Sequence, residues 1–415
     1  EGINLISKRL TNALIDRGYI TSRVVIPEQD LSTGTLRLVL IPGRIGDIRV
    51  EEKSIQRNWR NAFPTRPGDI LNLRNLEQGL EQMKRVPSQD VDFQLVPGKN
   101  PGASDIVITV KESKRYKFIF SVDDSGTKPT GKVQTSQTFS LDNLFGLNDL
   151  FNITLNGDGE RKGGVKGTRG GSLYYSIPCG DTTFSFSAGN YEYHQTINTV
   201  TQPFMYSGKS DNIEFHITHL LYRDQVSKTN LEYGISKKYS KSYMEDAEIE
   251  VQRKNTTAAQ IGISHRRYFG QTTLNIEIDN KRGVPWFGAQ ADDKMPGMAT
   301  TRYNMWLLDT SLTMPVTLGK AKAQYSLSLH GQYTDDLLYA NEFISTGNRW
   351  TVRGFDGESS LYADKGWYLR NDINLNLPVW GMQPYIGADY GEVSGSENDY
   401  WSGAHIAGAV AGVRG

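Results

Sequence analysis

The sequence predicts a mainly β protein: a transmembrane antiparallel β-barrel of about sixteen strands, preceded by two small α/β modules. Three observations carry that prediction. Helical and strand periodicities mix up to about residue 113, whereas no convincing helix appears after about Tyr116. Beyond that point apolar and polar residues alternate in roughly fourteen runs, each near the ~10 residues of a tilted membrane strand. The connections between runs also alternate, tight turns with long polar loops.

Composition narrows the choice. Among 415 residues the 46 basic side chains balance 46 acidic ones, so the basic excess of a nucleic-acid binder is missing and no nucleic-acid partner is expected. Cys179 is the single cysteine, which excludes a disulfide framework and any multi-cysteine metal site. Mean hydropathy is −0.49, and no apolar run approaches the ~18 residues of a membrane helix. That excludes a helical membrane protein but not a barrel, whose strands face lipid with alternate residues only. No signal peptide stands at Glu1, so the sequence reads as a mature or trimmed form.

The first module covers 1–42. Ile6, Leu10, Ala13 and Leu14 share one helix face that Gly18 ends, and β runs follow at Ser22–Ile26 and Thr35–Ile41. Its N-terminal end looks short. The second module covers 43–113. Strand Arg44–Val50 leads into a helix-like stretch around Ser54–Ala62, punctuated by Pro64 and Pro67. A clearer helix carries Leu73, Leu76, Leu80 and Met83 until Pro87, and strands near Val91–Val96 and Asp105–Val110 complete the unit.

The barrel is assigned to 114–415. Phe184, Phe186 and Ala188 alternate with Ser185, Ser187 and Gly189; Leu274, Ile276 and Ile278 alternate with Asn275, Glu277 and Asp279. In Trp367–Leu377, Leu369, Ile373, Leu375 and Leu377 point one way, and Arg370, Asp372, Asn374 and Asn376 the other. A soluble β-sandwich is the competing reading, but a charged opposite face suits a wet lumen better than a packed core. Pro178–Asp181 and Thr317–Lys320 are tight turns; Asn156–Gly171, Lys281–Thr301 and Asp335–Lys365 are long loops. The sequence stops at Ala407–Gly415, inside a strand. Because lipid tolerates no open edge, closure of an even-numbered barrel is expected to need about two further strands that this sequence lacks.

Most motifs have bland readings. Gly126–Lys132 resembles a phosphate loop, yet Val133 replaces the magnesium-binding hydroxyl and a strand follows, so it is a hairpin turn. His216 and His219 face opposite sides of a strand and cannot share a metal. The Gly157–Gly171 run is a mobile loop. No Ser-His-Asp order or paired carboxylate stands out, so no enzyme, metal or cofactor is expected.

The loop at about 335–365 is different, being too long for an idle connection. At its centre Val352, Arg353, Gly354 and Phe355 join a cation, a flexible glycine and a large apolar anchor. Further on, Gly387, Asp389 and Gly391 lie on a strand whose Ile386, Ala388 and Tyr390 face lipid, which turns Asp389 into the lumen. An arginine on an infolded loop and a lumenal aspartate are natural partners. The bland reading is a surface loop with an unpaired arginine.

These motifs together resemble the TpsB transporters of two-partner secretion. Gly18–Arg23, Ile26–Leu31 and Gly34–Leu36 look like that family's first periplasmic POTRA domain, and Leu71–Leu80 like the main helix of the second. Val352–Phe355 matches the loop that folds back into the pore, and Gly387–Gly391 the wall motif that receives its arginine. The resemblance spans nearly the whole sequence and is nearest to the haemolysin-type and CdiB-like, contact-dependent-inhibition exporters. The plug helix usual in the family has no counterpart here.

The resemblance implies an outer-membrane monomer, lipid around its barrel and POTRA domains in the periplasm. It implies capture of an unfolded partner exoprotein (a TpsA-type toxin, haemolysin or adhesin) and its passage through the lumen without ATP. Capture by β-augmentation is expected at the second POTRA domain, with Leu73, Leu76, Leu80, Val91, Phe93 and Leu95 as candidates and the domain's own core as their competing role. Two rival classes share the barrel: an outer-membrane assembly factor or insertase, which usually has more periplasmic repeats, and a diffusion porin, which has no use for them.

Overall fold

The computed structural model describes the chain except residues 1, 33, 161–163, 201, 293, 320, 359, 376–380 and 396–402. In the first module, helix α1 (Gly2–Asp16) lies against β1 (Arg23–Val25), which pairs antiparallel with β2 (Val39–Ile41). Ser7 Oγ donates to the Val24 carbonyl at 2.5 Å and Thr11 Oγ1 accepts from the Val24 amide at 3.1 Å. Both strands are shorter than their alternation suggests. Gln29 supplies the reason: its amide side chain accepts from Arg37 N at 2.7 Å and donates to Arg37 O at 2.9 Å, replacing ladder bonds there.

In the second module, β3 (Arg44–Val50), β4 (Gln89–Pro97) and β5 (Ala103–Glu112) form a sheet in the order β3-β5-β4, covered by α2 (Leu73–Lys84). Asn72 caps α2 by accepting from Arg74 N. The leucine spacing read from the sequence delivers Leu76 and Met83 to the core with Val91, Ile106 and Ile108, all fully buried. Ser54–Ala62, expected to be helix-like, contains no helix. Trp59, Ala62 and Phe63 do enter the core at near-helical spacing, but from a turn in which the amides of Ala62 and Phe63 share the Trp59 carbonyl. Apolar spacing alone cannot tell that turn from a helix.

The remainder is one antiparallel meander. Its strands are β6 (Tyr116–Asp123), β7 (Gln134–Asp142), β8 (Leu150–Asp158), β9 (Lys166–Cys179), β10 (Thr182–Ile197), β11 (Phe204–Arg223) and β12 (Ser227–Met244). A two-residue β13 (Ala247–Glu248) pairs with β12 before β14 (Lys254–Phe269), β15 (Thr272–Val284), β16 (Asn304–Leu318) and β17 (Ala321–Thr334). A short pair, β18 (Ile344–Thr346) and β19 (Leu361–Ala363), interrupts the meander, which resumes with β20 (Lys365–Leu375), β21 (Gln383–Ser394) and β22 (His405–Arg414). Leaving out β13, the path holds fourteen strands, each paired with its chain neighbours, with β6 and β22 as its ends among the described residues. The Asn156–Gly171 loop is shorter than expected, because β8 runs to Asp158 and β9 starts at Lys166. Gly126–Lys132 lies in the β6–β7 connection, where Gly126 N donates to the Lys132 carbonyl. No helix among the described residues is long and apolar enough to cross a membrane.

Register sorts the two faces. Ile278 sits opposite Leu308, while the next pair, Glu277 and Asp309, is turned to the other side. Phe118, Phe120, Ile261, Ile278, Trp306 and Ile386 are exposed on the outer face, as expected where the solvent is lipid. His216 stands beside Glu214 on the inner face, while His219 bonds Thr182.

Among the described residues, the second module touches the tight-turn end of this sheet. Asn61 Nδ2 donates to the carbonyls of Leu147 (2.5 Å) and Pro178 (3.0 Å), and Gln82 Nε2 to that of Gly180 (3.1 Å). Arg85 reaches the Asn148 carbonyl at 3.2 Å, and Lys228 pairs with Glu81 at 2.8 Å. Burial works to raise the Glu81 carboxyl, but Lys228 and Arg223 beside it hold it below the ordinary glutamate value. The long loops therefore open at the far end from the modules.

Gly79 on α2 lies so close to the Phe63 ring that any Cβ would overlap it. Gly79→Leu is expected to destabilise the second module by about 1–3 kcal/mol or more, since overpacking forces the ring off its rotamer. Limited proteolysis should show that module becoming protease-sensitive while the sheet keeps its heat-modifiable migration in gels.

Candidate functional site

The 335–365 segment leaves β17 at the far end and returns to β20, folding over the inner face on the way. β18 and β19 pair to form its stem, and Gly347–Ser360 is its tip. Ile344 and Ala363 of the stem pack with Val393 of β21, all buried, which sets the tip against β20–β22. Thr351 Oγ1 accepts from the amides of Gly347 and Asn348, and Trp350 N donates to Asn348 Oδ1, so the tip holds its own backbone.

Arg353 and Asp389 meet in this position. Asp389 Oδ2 accepts from Arg353 Nε at 2.6 Å and from Arg353 N at 3.0 Å, and Oδ1 accepts from Nη2 at 2.7 Å. The fork is bidentate, the geometry that guanidinium and carboxylate make best. Arg353 is 7 % exposed and Asp389 4 %. Arg353 Nη1 also lies 2.7 Å from Asp372 Oδ1, an ionic contact without hydrogen-bond alignment. The Asp389 hydrogen bonds outweigh burial and hold the Arg353 guanidinium above its ordinary value, so it stays charged.

Three glycines make room for this contact. A Cβ on Gly387 would stand 2.5 Å from Arg353 Nη2, and one on Gly391 would stand 3.0 Å from Val352 Cγ2. On β22, a Cβ at Gly408 would overlap the Arg353 carbonyl oxygen. The Gly387-Ala388-Asp389-Tyr390-Gly391 pattern thus has a steric meaning: bare backbone on both sides of the carboxylate lets the loop lie flat on the wall. Gly354 has φ +100°, which turns the chain away immediately after the arginine.

Val352 is fully buried, whereas Phe355 is 39 % exposed. The apolar anchor expected of Phe355 is therefore supplied by Val352, because the Gly354 turn points the following side chain off the wall. Phe355 instead borders a cleft with Asp124, Ser125 and Arg349. Arg349 pairs with Asp124 at 2.8 Å and Lys128 with Glu358 at 3.6 Å, tying the tip to the β6–β7 connection. Arg370 Nη1 donates to the Trp350 carbonyl at 2.7 Å.

Three residues at this site were not singled out from sequence. Gly408 left only the weak signal of a glycine among inner-face positions of β22. Asp372 was read as inward-facing but without a partner. Glu342, 9 % exposed at the base of the loop, contacts Lys238 at 3.0 Å and Lys281 at 2.8 Å. Among the described residues no group of acidic, histidine and cysteine side chains could hold a metal.

The candidates on the second module separate into two sets. Leu76 and Val91 have no exposed surface and belong to the core. Leu80, Phe93 and Leu95 are partly buried against that core, and Leu73 is half-buried at the start of α2. They flank the edge of β4, which pairs with β5 on one side only. Asp92 Oδ1 accepts from the Phe93 amide at 2.8 Å, so this amide points away from β5 toward the open edge.

Comparison with known proteins fits this geometry. The profile of the haemolysin secretion/activation proteins ShlB/FhaC/HecB matches residues 102–415, a POTRA profile matches 44–97, and a ShlB-type POTRA profile matches 1–43. The outer membrane transporter CdiB-2 of Burkholderia pseudomallei is 40 % identical over 100 % of this chain and 71 % of its own length. The hemolysin transporter protein ShlB of Serratia marcescens is 30 % identical over 94 % of this chain and 70 % of its own. The solved structure of CdiB from Escherichia coli superposes with a TM-score of 0.91 at 28 % identity, covering 99 % of this chain and 77 % of that one.

Because any side chain at position 408 collides with Arg353, Gly408→Val is expected to lift the loop tip from the wall at a cost of about 1–3 kcal/mol. Trypsin should then cut after Arg353, while Ala409→Val on the outer face leaves the bond protected. Equal protection in both variants would contradict the steric reading.

Proposed function

This chain belongs to the ShlB/FhaC/HecB family of haemolysin secretion/activation proteins, and we propose from that premise how it moves an unfolded partner exoprotein across the outer membrane. The observation that carries the reading is the buried Arg353–Asp389 fork, which holds a loop inside a polar lumen whose other end is bonded to a POTRA domain. A diffusion pore has no use for the POTRA domain. The named relatives are transporters of the CdiB and ShlB kind, and no observation favours an insertase.

The steps follow from the surfaces. An extended exoprotein segment pairs with the free edge of β4, displacing the Asp92 carboxylate from the Phe93 amide, while Leu80, Phe93 and Leu95 offer shallow apolar pockets for alternate side chains. Leu73 extends that groove; Leu76 and Val91 support it from the core. The segment then enters the lumen at the tight-turn end, against which the domain is docked. Polar inner-face side chains let it slide without a deep binding minimum. Folding outside makes return unfavourable, so no nucleotide is consumed. The cargo is a TpsA-type exoprotein such as a haemolysin or a contact-dependent toxin, and the transporter acts as a monomer embedded in outer-membrane lipid.

Arg353 keeps the loop in its conduction-ready place. Removing one partner of a shielded pair costs on the order of 3–5 kcal/mol, less where the lumen is wet. Arg353→Ala is expected to abolish secretion in cells while the barrel still assembles and migrates as a folded species. Normal secretion by that variant contradicts the assignment.

Capture makes a separate prediction. Phe93→Ala and Leu95→Ala should each weaken binding of the unfolded exoprotein to the whole protein by more than about 1 kcal/mol, as residues lining a recognition groove do. Unchanged affinity, measured by fluorescence anisotropy in detergent, would place capture elsewhere.

A further inference from the structure

We infer that Glu342 is a positioning residue that latches the base of the pore loop to a second sector of the wall, through Lys238 of β12 and Lys281 of β15. From β17 the loop thus leans backward at its base and forward at its tip, and is clamped at both places. The inference rests on the reading of this loop as a working part of the exporter.

The geometry is that of a built contact. The Glu342 side chain is 7 % exposed, with Oε1 3.0 Å from Lys238 Nζ and Oε2 2.8 Å from Lys281 Nζ. Its carboxylate is shared by two cations from different strands, and Lys281 is itself 15 % exposed. Gln332 on β17 donates to the Glu342 carbonyl and to the Asp364 carbonyl, both at 2.9 Å, so one amide gathers the start and the end of the loop. Beneath them Leu338 packs with Ala258, Tyr303 and Met305, all buried, which shields the ion pairs on one side.

The two clamps differ in chemistry. At the tip a rigid guanidinium fork meets one carboxylate across a lane of glycines. At the base two ammonium groups meet one carboxylate as point charges on flexible stems, a contact that exchanges with water and salt more readily. Neutralising Glu342 removes the attraction that both wall lysines exert on the base, and so frees the base from that sector of the wall. The base is therefore the clamp that opens first, and the tip can remain docked while it does.

Site-directed thiol labelling separates the two. In full-length protein in outer-membrane vesicles, with the exposed Cys179 changed to Ser, Leu338→Cys reports the base and Val352→Cys reports the tip; both parent side chains are buried, at 3 % and 0 % exposure. Glu342→Gln is expected to speed maleimide labelling of Leu338→Cys by about tenfold, the factor given by ~1.4 kcal/mol, and to leave Val352→Cys slow. Lys281→Gln, which removes the contact from the wall side, should act in the same direction. Combining Glu342→Lys with Lys238→Glu and Lys281→Glu should restore protection. Unchanged labelling of Leu338→Cys, equal acceleration at both reporters, or failure of the charge-swapped protein to regain protection would each overturn the latch. Labelling is measured without cargo, so its failure leaves the export reading to stand or fall on secretion by Arg353→Ala.

Discussion

A strand in a membrane wall has two solvents, and its side chains must alternate between them. That constraint organises this protein. Ile386 and Tyr390 are turned to lipid, so Asp389 between them is turned inward, where a cation carried by a loop that enters the lumen can reach it. The 335–365 loop enters, bringing Arg353. The neighbouring glycines follow from the same contact, because two backbones that share a bidentate ion pair leave no space for a Cβ at Gly387 or Gly408.

The ends of the barrel are differentiated by the same economy of chain. Tight turns leave backbone carbonyls at Leu147, Pro178 and Gly180 within reach of Asn61 and Gln82, so the second POTRA module docks on the short-turn end. One face of α2 is taken by this docking and another by the module's core. What remains open is the β4 edge and its flanking groove. The module thus stands at the tight-turn end of the sheet, and the pore loop enters from the other end.

Strand alternation made the meander legible: the roughly fourteen runs correspond to the fourteen strands of the path. Parity alone oriented Asp389, since side-chain direction in a strand is a local property. What was not legible depends on register or on contacts distant in sequence. Gly408 matters because β21 and β22 pair so that it stands opposite Asp389. Glu342 meets lysines 104 and 61 residues away, and no local pattern announces such a meeting. Phe355 was misjudged because its direction is decided by the φ of Gly354, and Ser54–Ala62 because a turn can deliver Trp59 and Ala62 to a core at helical spacing.

If the docked loop is a working part of a passive protein conduit, transport must depend on Arg353 and on no nucleotide. The most direct test is reconstitution into ATP-free liposomes with the POTRA modules facing outward, followed by addition of the unfolded partner exoprotein and external protease. Wild-type vesicles should accumulate protected, full-length exoprotein, and Arg353→Ala vesicles, with equally folded barrels, should not. Equal protection in the two, or none in either, would contradict it.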